Sequence, residues 1–184
     1  LPDLDVLLHY QSAIENFTLH RSFSHSLFVL SIVSIIFYWL ALYFKSSLAC
    51  HKKSLFLVIF LPLITHPLLD SFTTYGTQLL WPMTTPPISW SSVFIIDPLY
   101  TIPLIIGVIG LWVKQKSAKW QKINRIMLMV SCFYLLLGQL QLSEIKHQLK
   151  DDPIASNGHL FVSPAPFNNV VWQVLSYHKN TYYV

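Results

Sequence analysis

Charge is scarce in this chain. Asp, Glu, Lys and Arg make up 11% of its 184 residues, against roughly a quarter in soluble domains. Five glycines and two cysteines are present in all. No Gly-rich phosphate loop, GxSxG elbow or HExxH helix occurs, which excludes the usual nucleotide-binding loops, serine-hydrolase elbows and gluzincin-type proteases. Cys50 stands beside a basic loop and Cys132 inside an apolar run, so neither a disulfide framework nor a CxxC zinc spacing is available. Basic residues are not interleaved with aromatics on a soluble face, so the sequence offers nothing to nucleic acid. What is plentiful is hydrophobic: 53% of residues, with 15% aromatic. That is a membrane composition, and the lipid bilayer is the first partner it implies.

Four apolar runs stand out. They are Ser26 to Phe44, Ser54 to Leu69 (interrupted by Pro62 and Pro67), Val93 to Val113, and Ile126 to Leu142. None carries the polar stripe of a soluble bundle helix, and their length suits a hydrocarbon core. The expected architecture is an all-α, multi-pass membrane bundle of about four transmembrane helices over residues 1–150. Ser143 to Lys150 is expected to prolong the last helix into water until Asp151-Asp152-Pro153 breaks it. The tail, residues 151–184, reads differently. Val170 to Tyr177 alternates like a strand, His178-Lys179-Asn180 suits a turn, and Thr181 to Val184 would begin a partner strand. A lone hairpin is marginal, so a small β-rich appendage is expected. The chain opens at Leu1 directly into a motif, so residues are expected upstream, and any signal peptide or first membrane helix would lie there.

Lys45, Lys52 and Lys53 lie between the first two runs. Lys114, Lys116, Lys119, Lys122 and Arg125 lie between the last two. These loops hold eight of the twelve Lys and Arg residues, and Ser71 to Ser92 holds none. The positive-inside rule places both basic loops in the cytoplasm. The start of the chain, the end of the second run and the start of the third then share the outer face.

The ionisable residues gather at that end. Asp3 and Asp5 follow Pro2, His20, Arg21 and His25 precede the first run, and His66 and Asp70 close the second. Such groups are costly beside a bilayer and mark a site. Asp and neutral His are also ligands for zinc and similar divalent ions. Each has a plainer reading. Asp3 or Asp5 could cap a helix near Val6. His20 and His25, five apart, share no helical face, so one belongs in the lead-in loop and the other on the first turn. Arg21 suits either a bidentate phosphate contact or interfacial anchoring. His66 is expected at a kink, with Pro67 opening a resumed turn and Asp70 one turn on, either a ligand or the partner that holds the His tautomer. Asp97-Pro98 is a common helix start, and Asp97 is either that cap or a base near the site. Thr73-Thr74-Tyr75-Gly76 reads as a turn. His9 and Glu15 are peripheral, and His147, His159 and His178 stand in or near the tail without acidic company.

Together these segments resemble the YdjM-like family of inner-membrane metal-dependent hydrolases. The family pattern is similar to Leu1-Pro2-Asp3-Leu4-Asp5, then His20 to Ser26, then His66 through Tyr75-Gly76 to Leu80 and Pro82. Asp97-Pro98-Leu99-Tyr100 and the tail residues Pro164, Pro166, Asn168, Trp172 and Tyr182-Tyr183-Val184 resemble further family segments. Ser24 stands where the family usually has Thr, and the hydroxyl survives. The resemblance implies a bacterial inner-membrane hydrolase dependent on a divalent metal, zinc or alternatively manganese. Asp3, Asp5, His20, His25, His66 and Asp70 are then the expected ligands, for one or two ions, with Arg21 and Asp97 the catalytic candidates. A phosphoester at lipid-headgroup depth is the favoured substrate class. The alternative is a non-catalytic membrane protein that uses the same metal site for folding or partner assembly. An ion or proton pathway fits less well, because the ionisable groups sit at one depth.

Overall fold

The computed structural model describes residues 2–7, 12, 20–83, 86–152, 159–178 and 181–183. Four α-helices dominate it: α1 (Leu27–Phe44), α2 (Lys52–Asp70), α3 (Pro98–Val113) and α4 (Ala118–Gln148). Three antiparallel strands follow: β1 (His159–Pro164), β2 (Trp172–His178) and β3 (Thr181–Tyr183). Two compact units divide the chain. The first comprises Leu1–Ser71 and Tyr75–Ser89, the second Phe72–Thr74 and Trp90–Val184. Expected positions Leu1, His9, Glu15, Pro153, Lys179, Asn180 and Val184 lie outside the described residues.

Among the described residues, three helical segments are long and apolar enough to cross a membrane: Leu27–Phe44, Ser46–Asp70 (α2 with its leading 3-10 turn) and Ala118–Gln148, with mean hydropathy of 2.3, 1.6 and 1.7. The helix in the third expected span, Val93 to Val113, is shorter than its apolar run. Asp97 accepts from the Leu99 N–H at 2.9 Å and Pro98 takes the first turn, so α3 begins five residues after Val93. Its 16 residues rise about 24 Å at 1.5 Å each, against a hydrocarbon core of about 30 Å.

In the first unit α1 starts at Ser26, whose side chain accepts from the Val29 N–H. The loop after α2 pins this start from outside. The Ser26 hydroxyl donates to the Trp81 carbonyl at 2.6 Å, and the Leu27 N–H donates to the Leu79 carbonyl at 2.9 Å. That loop turns at Gly76, φ 88°, where an added Cβ would lie 3.0 Å from the Pro87 Cβ, so glycine is required twice over. The outward face of α1 carries Phe28, Ile32, Ile35 and Trp39, and its buried face carries Leu30 and Ser34. Apolar outside and small-polar inside is the pattern of a lipid-facing helix.

α2 departs from expectation. It runs unbroken through both Pro62 and Pro67, so no new helical turn has to be started at Pro67. Each proline removes one backbone donor and lets the rest of the ladder stand, as membrane helices tolerate. The consequence matters for the site: His66 and Asp70 share one helical face at i,i+4.

In the second unit α3 and α4 pair through matched small and large residues. The Trp120 indole lies over Gly110 and Asn124 lies over Gly107. The Ser131 hydroxyl donates to the Tyr100 carbonyl at 3.0 Å, and the Tyr134 hydroxyl to Asp97 Oδ2 at 2.7 Å. The tail is not a bare hairpin. β1 lies against β2, with Val162 opposite Val174, and β2 against β3, with Tyr177 opposite Tyr182. Val162 and Ser176 are buried, while all three β3 residues are exposed.

Candidate metal centre

Three short pieces of the first unit meet at the last turn of α2. A 3-10 turn, Pro2–Leu7, presents Asp3 outward and Asp5 inward. A second 3-10 turn, Phe23–His25, buries His25 completely. The last turn of α2 brings His66 and Asp70.

The join between the first two pieces is a strained residue. Arg21 has φ 59°, a left-handed conformation that costs a bulky residue roughly 1–3 kcal/mol. Its N–H donates to Asp5 Oδ2 at 2.9 Å, and its carbonyl accepts from the Gln78 N–H at 3.0 Å. Its guanidinium lies 4.9 Å from the centre of the Tyr75 ring and reaches Asp70 Oδ1 at 3.7 Å. Backbone and side chain of one residue thus tie Asp5, Tyr75 and Asp70 together. Burial pushes the Tyr75 hydroxyl above its ordinary pKa, and the Asp5 charge adds to this against the pull of Arg21.

Four ligand atoms converge. Asp3, His25, His66 and Asp70 each offer one nitrogen or oxygen, all within 4.8 Å of one another. His25 Nε2 is 3.4 Å from Asp3 Oδ1 and 3.2 Å from Asp70 Oδ2. His66 Nε2 is 3.1 Å from Asp3 Oδ2 and 3.4 Å from Asp70 Oδ2. Charge-assisted hydrogen bonds prefer about 2.7–2.9 Å. Asp3 meets the two imidazoles with different oxygens. One ligand atom from each of the four residues lies within 4.8 Å of the others, looser than the edges of about 3.3–3.6 Å in a tetrahedral shell with bonds of about 2.0–2.2 Å. The donors are gathered but not closed into a shell.

Proton bookkeeping points the same way. The Ser24 hydroxyl donates to Asp5 Oδ2 at 2.6 Å and lies 2.9 Å from His25 Nδ1. A carboxylate only accepts, so the hydroxyl hydrogen belongs to Asp5, and the Ser24 oxygen accepts from His25 Nδ1–H. The lone pair of a neutral His25 therefore sits on Nε2, facing two carboxylates. Neither His25 Nε2 nor His66 Nε2 makes a hydrogen bond of acceptable geometry, although both atoms are buried. A divalent cation satisfies all four atoms at once, and two imidazoles with two carboxylates are a donor set that holds one.

Six ligands were expected, and the structure brings four together. Asp5 and His20 lie beside them, turned to each other. His20 Nδ1 is 3.0 Å from Asp5 Oδ1, a contact short of hydrogen-bond geometry, and the His20 ring meets Tyr75 edge-on at 5.3 Å. Burial raises the Asp5 pKa, but the Ser24 hydroxyl, the Arg21 N–H and the two imidazoles outweigh it and hold the carboxyl below its ordinary value. Asp5 thus acts through Ser24 on His25. Asp97 belongs to the second unit and lies outside the four-residue group. One of its oxygens caps α3 and the other accepts from Tyr134, so its local contacts are those of a helix cap. Ser24 and Tyr75 are the participants that sequence reasoning passed over. The signal for Ser24 was its place between two expected ligands, one residue before His25.

Against known proteins, residues 1–145 match the family model described as YdjM inner membrane protein. No curated protein and no solved structure matches the chain.

Proposed function

The chain belongs to the YdjM inner membrane protein family, and we propose that it is a divalent-metal-dependent hydrolase working at the membrane surface. The observation that carries this reading is the pair of buried imidazole nitrogens, His25 Nε2 and His66 Nε2, facing the Asp3 and Asp70 carboxylates without a hydrogen bond. In this reading His25, His66 and Asp70 hold the ion, with zinc preferred for the mixed nitrogen and oxygen donors and manganese the alternative. When bound, such an ion polarises a substrate oxygen and lowers the pKa of water. Catalytic sites keep one position open. The Asp3 side chain is 58% exposed, against 0% for His25 and 15% for Asp70. Asp3 therefore guards the open side, where its carboxylate can take a proton from attacking water.

Arg21 brings positive charge to the same centre, which suits a substrate that gains negative charge as it reacts. A phosphoester, at lipid-headgroup depth on the outer face, is the substrate class that this favours. The orientation rests on the basic loops: with Lys45, Lys52, Lys53 and the 114–125 cluster in the cytoplasm, α2 ends outward. α3 would then serve as a fourth, short span.

The second reading has its own observation. Four protein side chains converge on one point, and structural metal sites are those filled by four protein ligands. The bundle would then be a non-catalytic protein whose cluster organises fold or partners. Asp3→Asn separates the two. Detergent-purified protein loaded with zinc or manganese is assayed on bis(p-nitrophenyl) phosphate and on phospholipid. The hydrolase reading expects turnover in the wild type, and in Asp3→Asn retained metal with turnover lost. A metal-loaded wild type that leaves every phosphoester intact supports the structural reading.

A further inference from the structure

Far from the cluster in sequence, the second unit carries an apolar slot with a cation at its mouth. The slot encloses about 300 Å³ between the last turns of α3 and the start of α4. Its floor is Gly110, and the Trp120 indole approaches so closely that an added Cβ would lie 1.9 Å from the ring. No side chain can grow from that floor to fill the space. Ile106, Ile109 and Val113 form the aliphatic wall and remain 46%, 51% and 70% exposed. Lys114 closes the end.

Charge around that end has one sign. Between Asp97 and Glu144 the sequence has no acidic residue, and five basic residues fall within positions 114–125. α4 begins at Ala118, and its cap residue Ser117 makes no side-chain bond to the first amides. The positive end of a 31-residue helix therefore faces the same turn, and helix N-termini favour anions. Helix length sets the depth. α3 is too short by several ångströms to cross a hydrocarbon core of about 30 Å, so Lys114 is held within reach of the headgroup layer. Trp120 beside it is the residue type that anchors there.

We propose that this slot binds an anionic phospholipid of the surrounding bilayer, with an acyl chain along Ile106, Ile109 and Val113 and the phosphate at Lys114 and the α4 N-terminus. A basic pocket between membrane helices is a recognised setting for acidic headgroups. The site is independent of the metal centre, and its ligand is a resident lipid, not a substrate.

The test uses the full chain in detergent. Retention of dioleoyl phosphatidylglycerol is compared with that of dioleoyl phosphatidylcholine by native mass spectrometry, and melting temperature is followed with each lipid. Phosphatidylglycerol is expected to be retained and to raise the melting temperature, with phosphatidylcholine doing neither. Soluble glycerol phosphate is expected not to bind, since it lacks the chain. Lys114→Gln with Lys119→Gln lowers the phosphatidylglycerol affinity about fivefold for each lysine. Ile109→Trp fills the slot and abolishes retention while melting as the wild type does in plain detergent. Equal retention of the two lipids marks ordinary annular contact and overturns the proposal, as does unchanged phosphatidylglycerol binding in Ile109→Trp. Cross-linking that joins Trp120 of two chains assigns the slot to a second copy and overturns it too.

Discussion

Replacing Ser24 by alanine deletes one oxygen and breaks two hydrogen bonds around the metal centre. Asp5 keeps the Arg21 N–H at 2.9 Å, so the carboxylate is not stranded. His25 loses more. Its Nδ1–H is fully buried, and its next acceptor, Asp5 Oδ2, is 3.8 Å away. A buried donor without an acceptor costs about 1–3 kcal/mol. The imidazole escapes this by moving its proton to Nε2, which abolishes the lone pair offered to the cation. Either route weakens metal binding. Partners that orient a ligating His contribute about 10–100-fold in affinity, which at about 1.4 kcal/mol per decade is about 1.4–2.8 kcal/mol. The two independent estimates agree, so Ser24→Ala should weaken zinc binding by one to two decades, read by competition with a chromophoric chelator. Ser24→Thr keeps the hydroxyl and should bind as the wild type does. A Ser24→Ala protein with unchanged affinity, or a Ser24→Thr protein as weak as the alanine variant, refutes the assignment of the His25 tautomer.

Gly110→Ala drives a methyl group into the Trp120 ring and should destabilise the α3–α4 pair by about 1–3 kcal/mol, seen as a lower melting temperature in detergent with metal affinity unchanged. Tyr134→Phe removes the hydroxyl that donates to the buried Asp97, and a loss of about 1–3 kcal/mol in denaturant unfolding is expected. Acid acts on Asp5. Its carboxyl titrates below the ordinary 3.8, so ionised Asp5 contributes stability that is full above that value and is lost as pH falls through the lowered folded value. Wild type should therefore lose melting temperature over that acid window more steeply than Asp5→Asn, whose side chain cannot titrate.

Helix content and the four converging His and Asp residues were legible because they rest on local chemistry. Apolar run length marked α1, α2 and α4, and isolated His and Asp residues in a nearly uncharged chain marked the cluster. What escaped depends on long-range packing. His66 reads as the end of one helical stretch because Pro67 follows it, yet α2 continues through both prolines with His66 and Asp70 one turn apart. Asp5 and His20 have the same side chains as the four clustered residues. Only the fold decides that Ser24 and Arg21 draw Asp5 away from the centre and that Tyr75 packs against His20. Val93 to Ile96 are as apolar as α3, so run length alone overstates that span, whereas Asp97-Pro98 reads from the sequence as the helix start that it is. The strand β1 was missed because Leu160-Phe161-Val162 is short and ends at Pro164. Its register with β2 comes from pairing, not from its own pattern.

The central claim is that a cation sits among Asp3, His25, His66 and Asp70. Elemental analysis of detergent-purified protein tests it directly, wild type beside His66→Ala and Asp70→Ala, with all three shown to be folded. The expected result is a divalent metal that co-purifies with the wild type and is lost from both variants. Metal content that is the same in all three proteins, or a wild type that takes up no divalent ion when offered zinc and manganese, contradicts it.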